Sequence, residues 1–177
     1  MKQPTDKLQT NTGLMIAAII GFMLAAYYSI TAISARDALW FWNGFDDKPV
    51  RMIVYHDGKR TELLSGDPGF AELAEAVRAS LAEGVARPSG IGLSASSLED
   101  AYKLYVTLEV FFDRPVKLHA SFNTSHPTQM LFPITGRHSD LNLVLLGVEG
   151  KYMSGAPALK TAEPIREALR AAGFSIN

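Results

Sequence analysis

From Gly13 to Ile33 the chain reads GLMIAAIIGFMLAAYYSITAI, with no charged residue and no proline. At 1.5 Å rise per residue, about 20 apolar residues match a hydrocarbon core of about 30 Å. A buried core helix would show a polar face, and this segment shows none. The run therefore predicts a transmembrane helix over 13–35, after a short polar tail at 1–12. It also accounts for the slightly positive mean hydropathy of +0.07.

A cleaved signal peptide competes with this reading, because Ala32-Ile33-Ser34-Ala35 offers small residues at a cleavable position. The apolar region of such a peptide spans only about 7 to 15 residues. The longer run favours an uncleaved signal anchor. Lys2, Lys7 and the terminal amine precede the helix, and Arg36 follows it. The positive-inside tendency then puts the tail in the cytoplasm and the bulk of the chain on the outer, extracytoplasmic side of a cell membrane.

Small residues recur through the helix at Gly13, Ala17, Gly21, Ala25 and Ser29. This spacing lets another helix approach closely, although the series drifts by about 40° per step, so only the central three share one face. Trp40, Phe41 and Trp42 follow the charged pair Arg36-Asp37 at once. They predict an aromatic collar at a bilayer interface, within a collar and linker spanning 36–49; the plainer alternative is that a tryptophan caps the soluble core.

The remaining stretch, 50–177, has room for one domain. From Lys48 onward acidic and basic side chains balance, which leaves no field to attract nucleic acid. The chain has no cysteine, so disulfides, thiolate catalysis and iron-sulfur ligation are excluded for it.

Asp57-Gly58 predicts a tight hairpin, with Val54 facing Thr61 and Met52 facing Leu63, and His56 solvated at the turn. A helix should open at Asp67-Pro68 with Asp67 as its cap, bury Phe70, Leu73, Ala74, Val77 and Leu81, and close at Gly84. Val85 to Ser97 reads as loop. Tyr102 to Phe112 alternates as a strand, and Val116 to Phe122 continues the alternation in a hairpin that sets Val110 opposite Leu118 and Glu109 across from His119.

Met130 to Thr135 reads as an edge strand because of Pro133. Leu141 to Val148 reads as a strand buried on both faces, and Glu149-Gly150 as a turn into Lys151-Tyr152-Met153. A last helix should bury Ile165, Ala168, Leu169 and Ala172, from Pro164 to Gly173. The whole predicts an α+β chain: one transmembrane helix, then a two-layer domain of mainly antiparallel sheet with helices on one face.

Catalytic signatures are incomplete. Gly90-Ile91-Gly92 lacks a nucleotide fingerprint's third glycine, and Gly92 to Ser96 lacks the last glycine of a nucleophile elbow. Gly136-Arg137-His138-Ser139-Asp140 predicts a polar loop in which Arg137, His138 and Asp140 are candidates for recognition of a carboxylate or phosphate. Neighbouring side chains point apart, so His138, Ser139 and Asp140 cannot form a triad together. A metal would require His126 and His138 to converge with a carboxylate such as Asp140, and Asn123-Thr124-Ser125 matches a glycosylation pattern that is frequent by chance.

No cofactor is expected. The expected partners are a lipid bilayer and other membrane subunits, or a second copy meeting the transmembrane helix. The reading that joins these features is a non-catalytic accessory subunit of a membrane assembly. A ligand-binding or sensory domain is the alternative, with an anchored hydrolase using Ser94 or the His138 loop behind it.

Overall fold

The computed structural model describes residues 12–86, 90, 92 and 94–176. Most of the tail at 1–12, with Lys2 and Lys7, lies outside the described residues, as do Ile91 and Leu93 of the two glycine-containing motifs. The chain opens with α1, Thr12–Ala35, a helix of 24 residues with a mean hydropathy of 2.0 over its most apolar stretch. Its length and composition suffice to cross a membrane, and none of the residues of that stretch is buried.

The domain is built on a six-stranded antiparallel sheet. In chain order its strands are β1 (Arg51–His56), β2 (Lys59–Leu64), β4 (Thr107–Phe111), β5 (Gln129–Pro133), β6 (Leu145–Val148) and β7 (Lys151–Tyr152). Their spatial order is β2-β1-β4-β5-β6-β7. A separate two-stranded ladder pairs β3 (Val85–Ala86) with β8 (Ala158–Leu159).

The β1 to β2 hairpin has the expected register, Val54 opposite Thr61 and Met52 opposite Leu63. Asp57 and Gly58 both carry positive φ, as a type I′ turn requires. Glu149 and Gly150 repeat this between β6 and β7. His56 is not free in solvent: its Nε2 lies 3.3 Å from the Ser175 carbonyl, and its ring meets Phe174 edge to face.

Helix α2, Phe70–Ala82, and helix α4, Glu163–Ala171, pack on one face of the sheet. Phe70, Leu73, Val77 and Leu81 of α2 and Ile165 and Leu169 of α4 share a core with Met52, Val54, Leu108, Val110, Met130, Phe132, Val144 and Leu146. Ala74 packs at its margin. This layer is the expected α+β arrangement. Asp67 does not cap α2, however; its carboxylate accepts the Leu64 N–H at 2.7 Å, and Gly69, at φ 82°, holds the N-cap position.

The opposite face carries helix α3, Ala95–Lys103, formed from residues whose alternation had suggested loop and strand. Ser94 caps it by accepting the Ser97 N–H at 3.1 Å. Leu98 and Tyr102 of α3 cover Leu131, Leu143, Leu145 and Ala156. With the sheet covered there, β4 begins only at Thr107 and is buried on both sides.

Three sheet expectations change. Val116 to Phe122 forms no strand, and Val110 pairs with Met52 and Met130 instead of Leu118. The excursion between β4 and β5 folds back on itself through Val116 N–H to Pro127 O at 3.0 Å, and tucks Val116 and Leu118 into the core. β5 is a central strand, not an edge. Pro133 is tolerated because it is the last residue of β5, beyond the Leu131 to Leu145 pair where β6 begins.

The Leu141 to Val148 run divides. Ser139–Leu141 is a 3-10 turn, Leu143 bridges Ala158, and only Leu145 to Val148 belongs to the sheet.

Candidate functional site at the helix to domain junction

The segment between α1 and β1 was expected to be a collar and polar linker. Its beginning folds back on α1. Trp40 meets Tyr27 edge to face with ring centroids 5.7 Å apart, Phe41 meets Tyr28 at 6.2 Å, and the Tyr28 hydroxyl donates to the Ala38 carbonyl at 3.0 Å. Seven residues of helix separate Tyr28 from Ala35, so the chain retraces roughly 10 Å along α1. Four aromatic side chains, Tyr27, Tyr28, Trp40 and Phe41, thus form one cluster. Phe41 and Trp42 are 54 % and 61 % exposed.

The rest of the segment is packed rather than loose. Phe45 is 3 % exposed and lies edge to face against Phe112 at 5.8 Å. Pro49 is buried, Asp47 bridges Arg114 at 3.0 Å, and the Val50 N–H reaches Phe111 O at 2.9 Å.

One polar contact ties the end of α1 to the far loop of the domain. His119 Nδ1 lies 2.6 Å from Asp37 Oδ2, with both side chains largely buried. Burial pushes the Asp37 carboxyl upward, but the hydrogen bonds from His119 and from the Leu39 N–H, with the charges of His119 and Lys117, outweigh it and leave the group below its ordinary value of 3.8.

A depressed carboxyl contributes stability that is complete above the ordinary value and lost as pH falls through the lower folded value. We expect Asp37→Asn to loosen the junction at neutral pH without unfolding the domain. Spin-label distances between α1 and the domain would broaden, while the melting temperature would move little.

Two clefts flank His119. One, about 350 Å³, is lined by Trp42, Asp46, Asp47, Arg114 and Lys117 among others. The second, about 340 Å³, is lined by Trp40, Phe41, Glu83, Ser121 and Lys160 among others. The indole N–H of Trp40 is buried without a hydrogen-bond partner among the described residues.

The expected pairing of Glu109 with His119 is therefore replaced on both sides. With β5 and not the 116–122 segment beside β4, Glu109 stands opposite Leu131 and Ile53, on the α3 face, 6 % exposed. Its carboxylate accepts the Tyr55 hydroxyl at 3.1 Å, the Tyr102 hydroxyl at 3.2 Å and the Tyr152 hydroxyl. Burial first, and then the adjacent carboxylate, push all three phenols above their ordinary value of 10.0, which holds them in the donating form.

The other candidates are placed as follows. Ala17, Gly21 and Ala25 are exposed on one side of α1, and a methyl group built on Gly21 meets nothing among the described residues within 4 Å. Gly13 and Ser29 are exposed too, and the Ser29 hydroxyl donates back to Ala25 O at 2.8 Å. Tyr28 follows Ala25 by three residues, so the small face runs into the aromatic cluster.

Arg137 and His138 line a cleft of about 190 Å³ with Ser94, Ser97, Asp100 and Thr107, but Asp140 does not. The Ser94 hydroxyl caps α3 and lies 2.9 Å from both Ser96 and Ser97, and His138 makes no hydrogen bond with it. Among the described residues no three His, Asp or Glu side chains gather as a metal site.

Sequence reasoning missed the Asp37 to His119 contact, the role of Phe45 and the tyrosine shell of Glu109. An acidic residue directly behind an apolar helix was the one local signal for the first.

No protein family, curated protein or solved structure matches this chain.

Proposed function

We propose that this chain is a single-pass, membrane-anchored, non-catalytic accessory subunit of a membrane assembly, with its tail in the cytoplasm and its domain on the outer side. It docks through the small-residue face of α1 and through the domain held beside it. The observation that carries this reading is the junction: a 24-residue apolar helix with exposed sides is joined to the domain by a segment packed at Trp40, Phe41, Phe45 and Pro49. A helix that only tethered the domain would need no such packing. Fixing one body to the other pre-organises two surfaces for one partner and lowers the ordering cost of binding.

Small side chains favour helix association in lipid because backbones approach closely there. A photo-crosslinking side chain at Ala17 or Ala25 should therefore give a discrete protein adduct in native membranes, and one at Met23, on the other side, should give lipid adducts. Equal labelling from both sides would contradict docking through this face.

The cleft beside Ser94, Ser97, Arg137 and His138 favours a second reading, an anchored ligand-binding domain. Arg137 would supply the fork for a carboxylate or phosphate. The hydrolase reading has less support, since Ser94 is engaged as a helix cap and no base among the described residues hydrogen-bonds to it.

A further inference from the structure

Strand β2 stands at one edge of the six-stranded sheet, and all of its residues are exposed except the half-buried Leu63. Because β1 and β2 close on a two-residue turn, His56 and Lys59 are a hydrogen-bonded pair. Bonded pairs alternate with unbonded ones, so Thr61 and Leu63 also bond β1, and the backbone groups of Arg60, Glu62 and Leu64 point away from the sheet. Leu64 is already engaged. Its N–H donates to Asp67 Oδ2 at 2.7 Å, and its carbonyl accepts the Asp67 N–H at 2.9 Å. Among the described residues, the open backbone groups of β2 are those of Arg60 and Glu62.

Charged side chains on an exposed edge oppose pairing with a strand that does not match them. Arg60 and Glu62 have opposite charges on one face of β2 and bridge each other within the chain at 2.8 Å. An antiparallel second copy of β2 could join open groups to open groups in three ways. Arg60 opposite Arg60, or Glu62 opposite Glu62, would set like charges against each other, which is destabilising. Arg60 opposite Glu62 of the second copy, with Glu62 opposite Arg60 by symmetry, sets opposite charges together and uses every open group of both edges. The bridge within each chain survives, because the four charges alternate around a square. Thr61 then meets its own copy across the edge, another favourable pair.

We propose that β2 is a self-recognition edge, on which a second copy of this chain docks antiparallel with Arg60 opposite Glu62 and Thr61 on the two-fold axis. Asp67 closes the edge at Leu64, so the contact runs from Lys59 to Leu63. A contact this small is transient in dilute solution and needs covalent capture to be seen. It is separate from docking through α1, and neither depends on the other.

The chain has no cysteine, so a single introduced one reports its own pairing. Thr61→Cys in the purified full chain, concentrated in mild detergent and oxidised with copper phenanthroline, should give a disulfide-linked dimer. The Cα atoms of such an unbonded pair lie about 4.5 Å apart, within disulfide reach. Lys59 lies four residues along the edge from its own copy, about 13 Å away and beyond that reach. Thr61→Cys should therefore link about tenfold faster than Lys59→Cys.

Arg60→Glu or Glu62→Arg, added to Thr61→Cys, alters two charge pairs in each dimer and should slow linking by about fivefold to tenfold. Combining Arg60→Glu with Glu62→Arg restores the alternation and should recover the rate to within about twofold. The three positions are exposed, so the variants should keep the wild-type circular dichroism melt. Equal rates for Thr61→Cys and Lys59→Cys, or linking that ignores both single reversals, would overturn the proposal. So would a double swap as slow as either reversal, because charge matching between copies is what selects the register.

Discussion

Glu109→Ala is expected to destabilise the domain by about 3 to 5 kcal/mol, because it leaves three half-buried phenols without their common acceptor. Tyr55, Tyr102 and Tyr152 come from β1, α3 and β7, so one carboxylate on β4 joins three separated elements on that face of the sheet. Glu109→Gln keeps a carbonyl oxygen for two of the donors and removes the charge, so its expected cost is lower, about 1 to 3 kcal/mol. Urea denaturation followed by circular dichroism would measure both.

The phenols add a pH signature. Their folded values lie above the ordinary 10.0, so their contribution is complete below pH 10 and is lost as pH rises through the folded values. Wild type should therefore lose stability above pH 10. In Glu109→Gln the part of that loss due to the carboxylate charge should be smaller. An Ala variant as stable as wild type would show that the three phenols find solvent or other partners at no cost.

Phe45→Ala is expected to cost about 3 to 5 kcal/mol as well, the range for a buried aromatic truncated in a core. The position lies in Asn43 to Pro49, a stretch whose composition reads as linker. Phe45 packs on Phe112 at the end of β4, and the chain then enters β1 through Val50, which bonds Phe111. Loss of this ring should both lower domain stability and free α1 to move relative to the sheet. Fluorescence anisotropy of a probe on α1, with the domain folded below its melting temperature, would separate the two effects. A change of less than about 0.5 kcal/mol would place Phe45 outside the core, as an exposed linker residue.

Local chemistry in the sequence accounts for the hairpins and for helices α2 and α4. Asp57-Gly58 and Glu149-Gly150 set positive φ in two-residue turns, and the stripe of α2, with Ile165 and Leu169 of α4, matches what is buried, whereas Ala172 lies beyond the end of α4 and is exposed. Where the reading failed, a long-range contact decided the local structure. Tyr102 and Leu104 continue the alternation of Val106 to Phe112, but Ser94 starts a helix and Leu98 and Tyr102 find an apolar surface beneath it. The alternation of Val116 to Phe122 is equally regular, yet the edge of β4 is taken by β5, which brings a longer run of apolar residues to both faces. Glu109 and His119 then go to different partners.

At the junction, the aromatic residues and the small residues of α1 stand in the sequence as local patterns. The Asp37 to His119 contact joins residues 82 positions apart and leaves no periodic trace. Phe45 was hidden by its polar neighbours. A single buried ring in a hydrophilic stretch has no period to announce it.

The measurement that tests the proposed role most directly is native mass spectrometry of the full chain, purified from its own membranes in mild detergent, beside Gly21→Leu. Gly21 is exposed and a Cβ there meets none of the described residues within 4 Å, so the substitution should leave the domain and its melt unchanged while blocking close approach of another helix. The account predicts a stoichiometric complex for wild type, with other membrane subunits or a second copy, that is lost in Gly21→Leu. A wild-type chain that is monomeric with no companion, or a complex that survives Gly21→Leu unchanged, would contradict it.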